Sequence, residues 1–368
     1  MLFDIGHGMA KCSVPEQLAI KYGMATKNQQ QLVSVTDRLL GAQVWYNAER
    51  GRKPQTFTQD AALADPTDGG RTCDFCQWRT LTAIDVFGRI ERSHAVSASN
   101  LFKYCQPFHG LVLFRHHHPL HFSLPQLSDL LLVAQEWFDR AAAAQPSARH
   151  PFFLWNCGAR AGASQFHGHA QVALSQVPFP GAEALAAAAQ RYASAVPGAD
   201  YYGDLIRAHR AAGLLLEHAL GDRRAWCYAS LVPTKDMELV VQGANLGCPC
   251  FQALLHTALR ALIDRLGSAT FNVGIFNIRC GGQGSGVQSS LRRGESGAAG
   301  DQMPGALEAP TMNFGAEPPV LARIVSRGKL SSRASDYGGL EVFGKASIGN
   351  TDPYRVFAAL QSQLQSQL

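Results

Sequence analysis

The sequence predicts an α+β fold whose two halves follow a similar order of elements. Three observations carry this. Residues 110–114 and 152–155 are short apolar runs of strand length, and between them Leu127, Leu130, Leu131, Ala134, Trp137 and Phe138 recur at helical spacing. An extended segment with apolar alternation follows at 167–174. The same order of strands and helix then returns, more faintly, beyond residue 225.

Each element has its own signal. Residues 110–114 form a buried strand, and Ser123 with Gln126 makes a capping box at the start of the helix that follows. Residues 152–155 form a second buried strand, leading into the small-residue loop 156–164, whose glycines let backbone approach a ligand closely. Residues 178–200 are a Pro/Ala-rich opening to a helix and a crossover into the second half. There, strands are expected at 225–233 and 237–241, a helix around 250–266 and a strand at 270–277. The Gly-, Ser- and Ala-rich stretch 281–318 is expected to be a flexible loop. The boundary between the halves is placed at 1–190 and 191–368.

Composition narrows the class of protein. With 368 residues, 46% apolar and 17% charged, the chain can bury an ample core. Basic residues exceed acidic ones by 33 − 28 = 5 without a basic block, which suits small anionic substrates rather than a nucleic-acid groove. Nine cysteines, an odd number, point to a reducing compartment. The first residues lack the features of a signal peptide, and no apolar run reaches the length of a membrane span. A cytoplasmic location is expected, without nucleic-acid or membrane partners.

The most informative stretch is Ser164-Gln165-Phe166-His167-Gly168-His169-Ala170-Gln171. In an extended strand, alternate residues share a face. His167, His169 and Gln171 would then converge on one side, where imidazole and amide can act on one phosphate. Upstream, Cys73-Asp74-Phe75-Cys76 has a spacing open to zinc, to a redox pair and to chance.

Asn156-x-Gly158, Gly162-x-Ser164 and His167-x-His169-x-Gln171 together resemble the signature of galactose-1-phosphate uridylyltransferases. These form the transferase branch of the histidine-triad superfamily, with ADP-glucose phosphorylases and diadenosine tetraphosphate phosphorylases as relatives. The resemblance implies two histidine-triad-like half-domains built on antiparallel sheets with flanking helices. It makes His169 the nucleophile of a two-step, ping-pong nucleotidyl transfer, with Gln171 and Ser164 orienting phosphates. The hydrolase branch carries a third histidine where this chain has Gln171, an uncharged amide that cannot exchange protons near neutral pH. Transferase or phosphorylase chemistry is therefore expected over hydrolysis.

The resemblance also implies one structural zinc, held by Cys73, Cys76, a histidine downstream and His167. His121, four residues before Pro125, is preferred as the third ligand, with His116, His117 and His118 as competitors. In the segment 44–54, which resembles the family's early strand followed by a phosphate-meeting element, Arg50 and Lys53 would meet phosphates, and residues 56–72 read as loop. Asn100, in a short strand at 97–102, would reach the nucleoside, Asn156 and Gly162 would shape the phosphate loop, and Glu341 would accept hydrogen bonds from a sugar. A second His-x-His of the uridylyltransferases falls here on Leu321 and Arg323, so no second, iron-type metal site is expected. The implied substrates are a nucleotide sugar with a sugar phosphate or inorganic phosphate, and the implied assembly is a homodimer. The rival reading is a dinucleoside polyphosphate phosphorylase, whose signature shares Gly162-Ala163-Ser164-Gln165 but generally lacks the Cys-x-x-Cys. A reading of another class is a catalytically degenerate nucleotide-binding protein.

Overall fold

The computed structural model describes residues 3–37, 43–47, 65–281, 317–328, 337–344, 346–347 and 349–367. Arg50, Lys53 and nearly all of the Gly-rich stretch 281–318 lie outside them. The described strands form two antiparallel sheets. The small one comprises β1 (Phe3–Ser13), β2 (Lys27–Asp37) and β3 (Gln43–Tyr46), with α1 (Glu16–Tyr22) inserted in the β1–β2 connection.

The large sheet has nine strands. Its first half holds β4 (Ala95–Ser99), β5 (Pro107–Phe114), β6 (His150–Cys157) and β7 (His169–Ser175); its second holds β8 (Leu215–Leu220), β9 (Arg223–Ala229), β10 (Leu239–Gly243), β11 (Phe271–Phe276) and β12 (Val320–Ser326). The strand order is β4-β5-β7-β6-β11-β12-β10-β9-β8. From the β6–β11 seam outward, the sides read β6, β7, β5, β4 and β11, β12, β10, β9. The halves thus repeat one another about the seam, where Asn156 faces Asn272 in register.

One face of this sheet is covered by α3 (Leu124–Ala144) and α6 (Pro249–Arg260). The six apolar residues that predict α3 are all 0% exposed, and the Ser123–Gln126 capping box forms, with the Ser123 N–H donating to Gln126 Oε1 at 2.7 Å. Strand pleating sorts the rest. Ala170, Val172 and Leu174 of β7 enter the helix-side core with Val112, Phe153, Trp155, Val273 and Ile324. The other face of β7 carries His169 and Gln171. Helices α2 (Trp78–Leu81), α4 (Pro180–Ala195), α5 (Tyr201–Ala211) and α7 (Pro353–Gln365) complete the fold. No helix among the described residues is long and apolar enough to cross a membrane.

The small sheet docks beside β4. Ser13 bridges Ile84, Gln30 donates to the Leu101 carbonyl at 2.7 Å, and Leu18 and Ala19 of α1 pack with Leu101 and Phe102. This brings α1 over the open face of the large sheet, next to β7.

Candidate active site and metal centre

The loop between β6 and β7 opens with a 3₁₀ turn, Ala159–Ala161, flanked by two positive-φ glycines, Gly158 (φ 82°) and Gly162 (φ 86°), of which Gly162 is left-handed. A Cβ at Gly158 would lie 2.6 Å from Thr270 Cγ2, so both backbone angle and space select glycine there. The turn delivers Ser164, His167 and His169 in buried positions.

His167 lies before the strand rather than in it, because β7 begins at His169. Its Nε2 hydrogen-bonds the Phe114 carbonyl at 2.7 Å, which places the proton on that nitrogen and turns Nδ1 toward Cys73 Sγ (3.6 Å) and Cys76 Sγ (3.5 Å). His169 has the opposite tautomer. Its Nδ1 donates to the His167 carbonyl at 2.7 Å, which leaves the lone pair on Nε2. The two rings diverge in task, yet both meet Phe75 edge-on, at 5.9 and 5.1 Å between centroids.

Cys73 Sγ, Cys76 Sγ, His117 Nδ1 and His167 Nδ1 lie within 4.8 Å of one another. The histidine that the structure brings to the two cysteines and His167 is therefore His117, not the expected His121. His121 is exposed and stacks on His118 at 3.8 Å, whereas His117 Nε2 donates to Asp65 Oδ2 at 2.9 Å with Thr67 Oγ1 3.0 Å away. That partnership aims Nδ1 at Cys76 Sγ (3.3 Å) and His167 Nδ1 (3.4 Å). A carboxylate behind a ligating imidazole is the usual way to fix its tautomer.

The residues fit a tetrahedral ion. Zinc bonds of ~2.3 Å to sulfur and ~2.05 Å to nitrogen give ligand–ligand edges of about 3.3–3.8 Å, and the four measured sulfur–nitrogen and nitrogen–nitrogen separations run from 3.3 to 3.6 Å. Gly70 lies against the group, and a Cβ there would sit 2.9 Å from Cys76 Sγ. Burial pushes the Cys73 thiol up to about 12 and the His167 imidazole down to about 3. A neutral imidazole is what a metal needs, and a bound divalent cation reverses the thiol's preference for its proton. A metal held by these four ligands would be closed off from further ligands, as in structural sites, and would join the segment 73–76 to His167, two residues before the strand of His169.

Beside it opens a cleft. The glycine-loop side contributes Gly162, Ser164, His169 and Gln171; Asn100, Leu101, Phe102, Leu111, Leu81 and Phe75 also line it and make much of its surface apolar. Tyr22 of α1 closes one side, its hydroxyl donating to Asp74 at 2.9 Å. Asn156 stands just behind, accepting from Asn272 Nδ2 at 2.7 Å. Five of the residues singled out in the sequence (Asn100, Gly162, Ser164, His169, Gln171) thus share one cleft. Glu341 does not line it; its carboxylate meets Lys235 Nζ (3.2 Å) and the Gly338 N–H (2.9 Å). Leu321 and Arg323 also fall elsewhere, Arg323 pairing with Glu238 through both carboxylate oxygens.

Sequence reasoning missed the α1 residues, Asp65 and His109. A lone histidine in the apolar run of β5 reads as core. Asp65 had no signal, since its partner is 52 residues away.

No protein-family model matches the sequence, and no curated protein matches it. Solved structures do share its fold. A uridylyltransferase structure is 12% identical with a TM-score of 0.57, covering 76% of this chain and 87% of that one. An ADP-glucose phosphorylase from Arabidopsis thaliana with bound ADP-glucose is 16% identical with a TM-score of 0.56, covering 90% and 98%. A GalT-like protein from Arabidopsis thaliana is 16% identical with a TM-score of 0.51, covering 73% and 83%. The chain shares the fold of these structures.

Proposed function

We propose that the protein is a nucleotidylyltransferase that carries a nucleoside monophosphate on His169. The observation that carries this reading is the His169 tautomer: Nδ1–H held by a carbonyl, and a lone pair on Nε2 in a cleft lined also by Gln171 and Ser164. In the first half-reaction, Nε2 attacks the α-phosphorus of a nucleotide sugar. The Nε2–P bond forms, the bond to the bridging oxygen breaks, and sugar 1-phosphate leaves with the electron pair. In the second, an oxygen of phosphate or another sugar 1-phosphate displaces the imidazole. Splitting the exchange in this way is nucleophilic catalysis, and the Gln171 amide stabilises charge on the non-bridging oxygens. The apolar surface of the cleft suits a base, with Asn100 and Phe102 beside it. Zinc in the Cys73, Cys76, His117, His167 group supplies rigidity, not reactivity.

Between acceptors, inorganic phosphate has support of its own. The ADP-glucose phosphorylase structure covers nearly the whole of both chains, and Glu341, the expected sugar contact, stands outside the cleft of its own chain. A homodimer would give Glu341 a place in a partner's site. Conversely, the metal-ready cysteines weigh against a dinucleoside polyphosphate phosphorylase. Nine cysteines with no disulfide among them suit a cytoplasmic setting.

The test is intact mass after incubation with UDP-, ADP- and GDP-sugars. A mass increment equal to one nucleoside monophosphate, abolished by His169→Ala and discharged by phosphate or sugar 1-phosphate, is the expected result. The absence of any adduct, or fast hydrolysis of nucleotide in water alone, would overturn it.

A further inference from the structure

Gln171 helps the proposed transfer only if the right end of its amide faces the phosphate. Phosphate oxygens accept hydrogen bonds; a carboxamide presents either an acceptor C=O or a donor NH₂. Which end faces the cleft is decided by groups beneath it.

His109 lies on β5, fully buried and on the same face of the sheet as Gln171. Its place is set by four contacts. The His109 carbonyl accepts from the Asn100 N–H at 2.9 Å and from Lys103 Nζ at 3.1 Å. The ring lies tilted against Tyr104, with centroids 3.9 Å apart, and Nδ1 accepts the Tyr104 N–H at 3.2 Å. A backbone N–H cannot change its polarity, so Nδ1 must carry the lone pair. A neutral ring then has its proton on Nε2, and Nε2 is 3.1 Å from Gln171 Oε1.

Asn100 repeats the logic. Its Oδ1 accepts the Phe102 N–H at 2.9 Å, which settles its own amide and turns Nδ2 toward Gln171 Oε1 at 3.4 Å. Nδ2 and His109 Nε2 are 3.2 Å apart, two donors side by side on one acceptor. Two backbone N–H groups, of Phe102 and Tyr104, therefore determine the polarity of the whole chain of contacts.

We infer that His109 is a positioning residue which, with Asn100, holds the Gln171 carbonyl inward and leaves its NH₂ as the end that meets the cleft. A flipped Gln171 would set its NH₂ against two donors and show a carbonyl to the ligand. The role in transfer rests on the function proposed above; the orientation itself does not.

Two experiments separate these. In long-range ¹H–¹⁵N spectra of histidine-labelled protein, with the His109 signals identified by their loss in His109→Gln, the ring should be protonated at Nε2 and not at Nδ1. An Nδ1–H tautomer overturns the inference, whatever the protein catalyses. In single-turnover kinetics, His109→Phe should slow formation of the nucleotidyl-enzyme by about 10-fold while the KM for the nucleotide moves by less than about two-fold. His109→Gln, which can donate from its own amide, should recover most of that rate. The double variant His109→Phe/Gln171→Ala should be no slower than Gln171→Ala alone, because the two act as one unit. Additive losses, or a His109→Gln as slow as His109→Phe at equal melting temperature, would overturn the positioning role. An Nε2–H ring in a protein that never forms the adduct would remove the transfer reading and keep the orientation.

Discussion

Strands β7 and β12 occupy the same place on either side of the seam, and their open faces differ completely. β7 presents His169 and Gln171 to a cleft. β12 presents Leu321, packed with Tyr228 and Val240, and Arg323, locked onto Glu238, whose side chain is 0% exposed. Their helix-side residues are interchangeable in kind: Ala170, Val172 and Leu174 against Val320, Ala322 and Ile324. The architecture needs only that inner alternation. What the outer face carries is free to be chemistry in one half and packing in the other.

The largest effect should come from the outer face of β7. His169→Ala is expected to lower transfer by at least about 10³-fold, the scale of losing a nucleophile, with metal content and melting temperature unchanged. Intact mass and a thermal melt check both. A substantial residual rate through an adduct would mean that another group is the nucleophile.

Removing the metal group should follow. Elemental analysis of the wild type is expected to find about one zinc per chain, and His167→Ala and Cys73→Ser are expected to abolish it and to lose activity together with stability. Within the same experiment, His117→Ala should lose zinc and His121→Ala should keep it; the reverse would return the ligand to His121. Asp65→Asn is a gentler cut, weakening metal affinity by about 10- to 100-fold through the loosened His117 ring. Chelator titration of the variant reads that directly.

The smallest effect on transfer should come from β12. Arg323→Met leaves the buried Glu238 carboxylate without its cation. Truncating one partner of a buried pair costs about 3–5 kcal/mol, and since Arg323 is 36% exposed a loss of roughly 2–3 kcal/mol in denaturant stability is expected. The rate of adduct formation should stay within about two-fold. A collapse of that rate at intact stability would show that the second half takes part in the chemistry.

How far the sequence disclosed all this depends on how local each signal was. Helix α3 was legible because its 3.6-residue period and its capping box are written in consecutive residues. The cleft residues 162–171 were legible for the same reason. Ranking His116, His117, His118 and His121 was not a local problem. The choice falls to Asp65, 52 residues away, and no spacing rule sees it. Tyr22 and Leu18 reach the cleft only because β1 and β2 pair, and a strand as polar as Lys27–Asp37 gives little apolar alternation to read. His109 looked like a residue of a buried strand, which it is; its function depends on what lies on the next strand over.

The β6–β11 seam has a practical consequence for anyone dividing the chain. A fragment carrying only the first half would expose the full edge of β6, a row of unpaired N–H and C=O groups that normally meets β11. Such an edge is a template for strand addition. Because the native pairing is antiparallel, a second β6 edge can take the place of β11 by a two-fold rotation. The isolated half should therefore leave a sizing column as a strand-exchanged pair or as aggregate rather than as a well-behaved monomer, and a β-blocking proline at an outward N–H of β6 would be the way to keep it single.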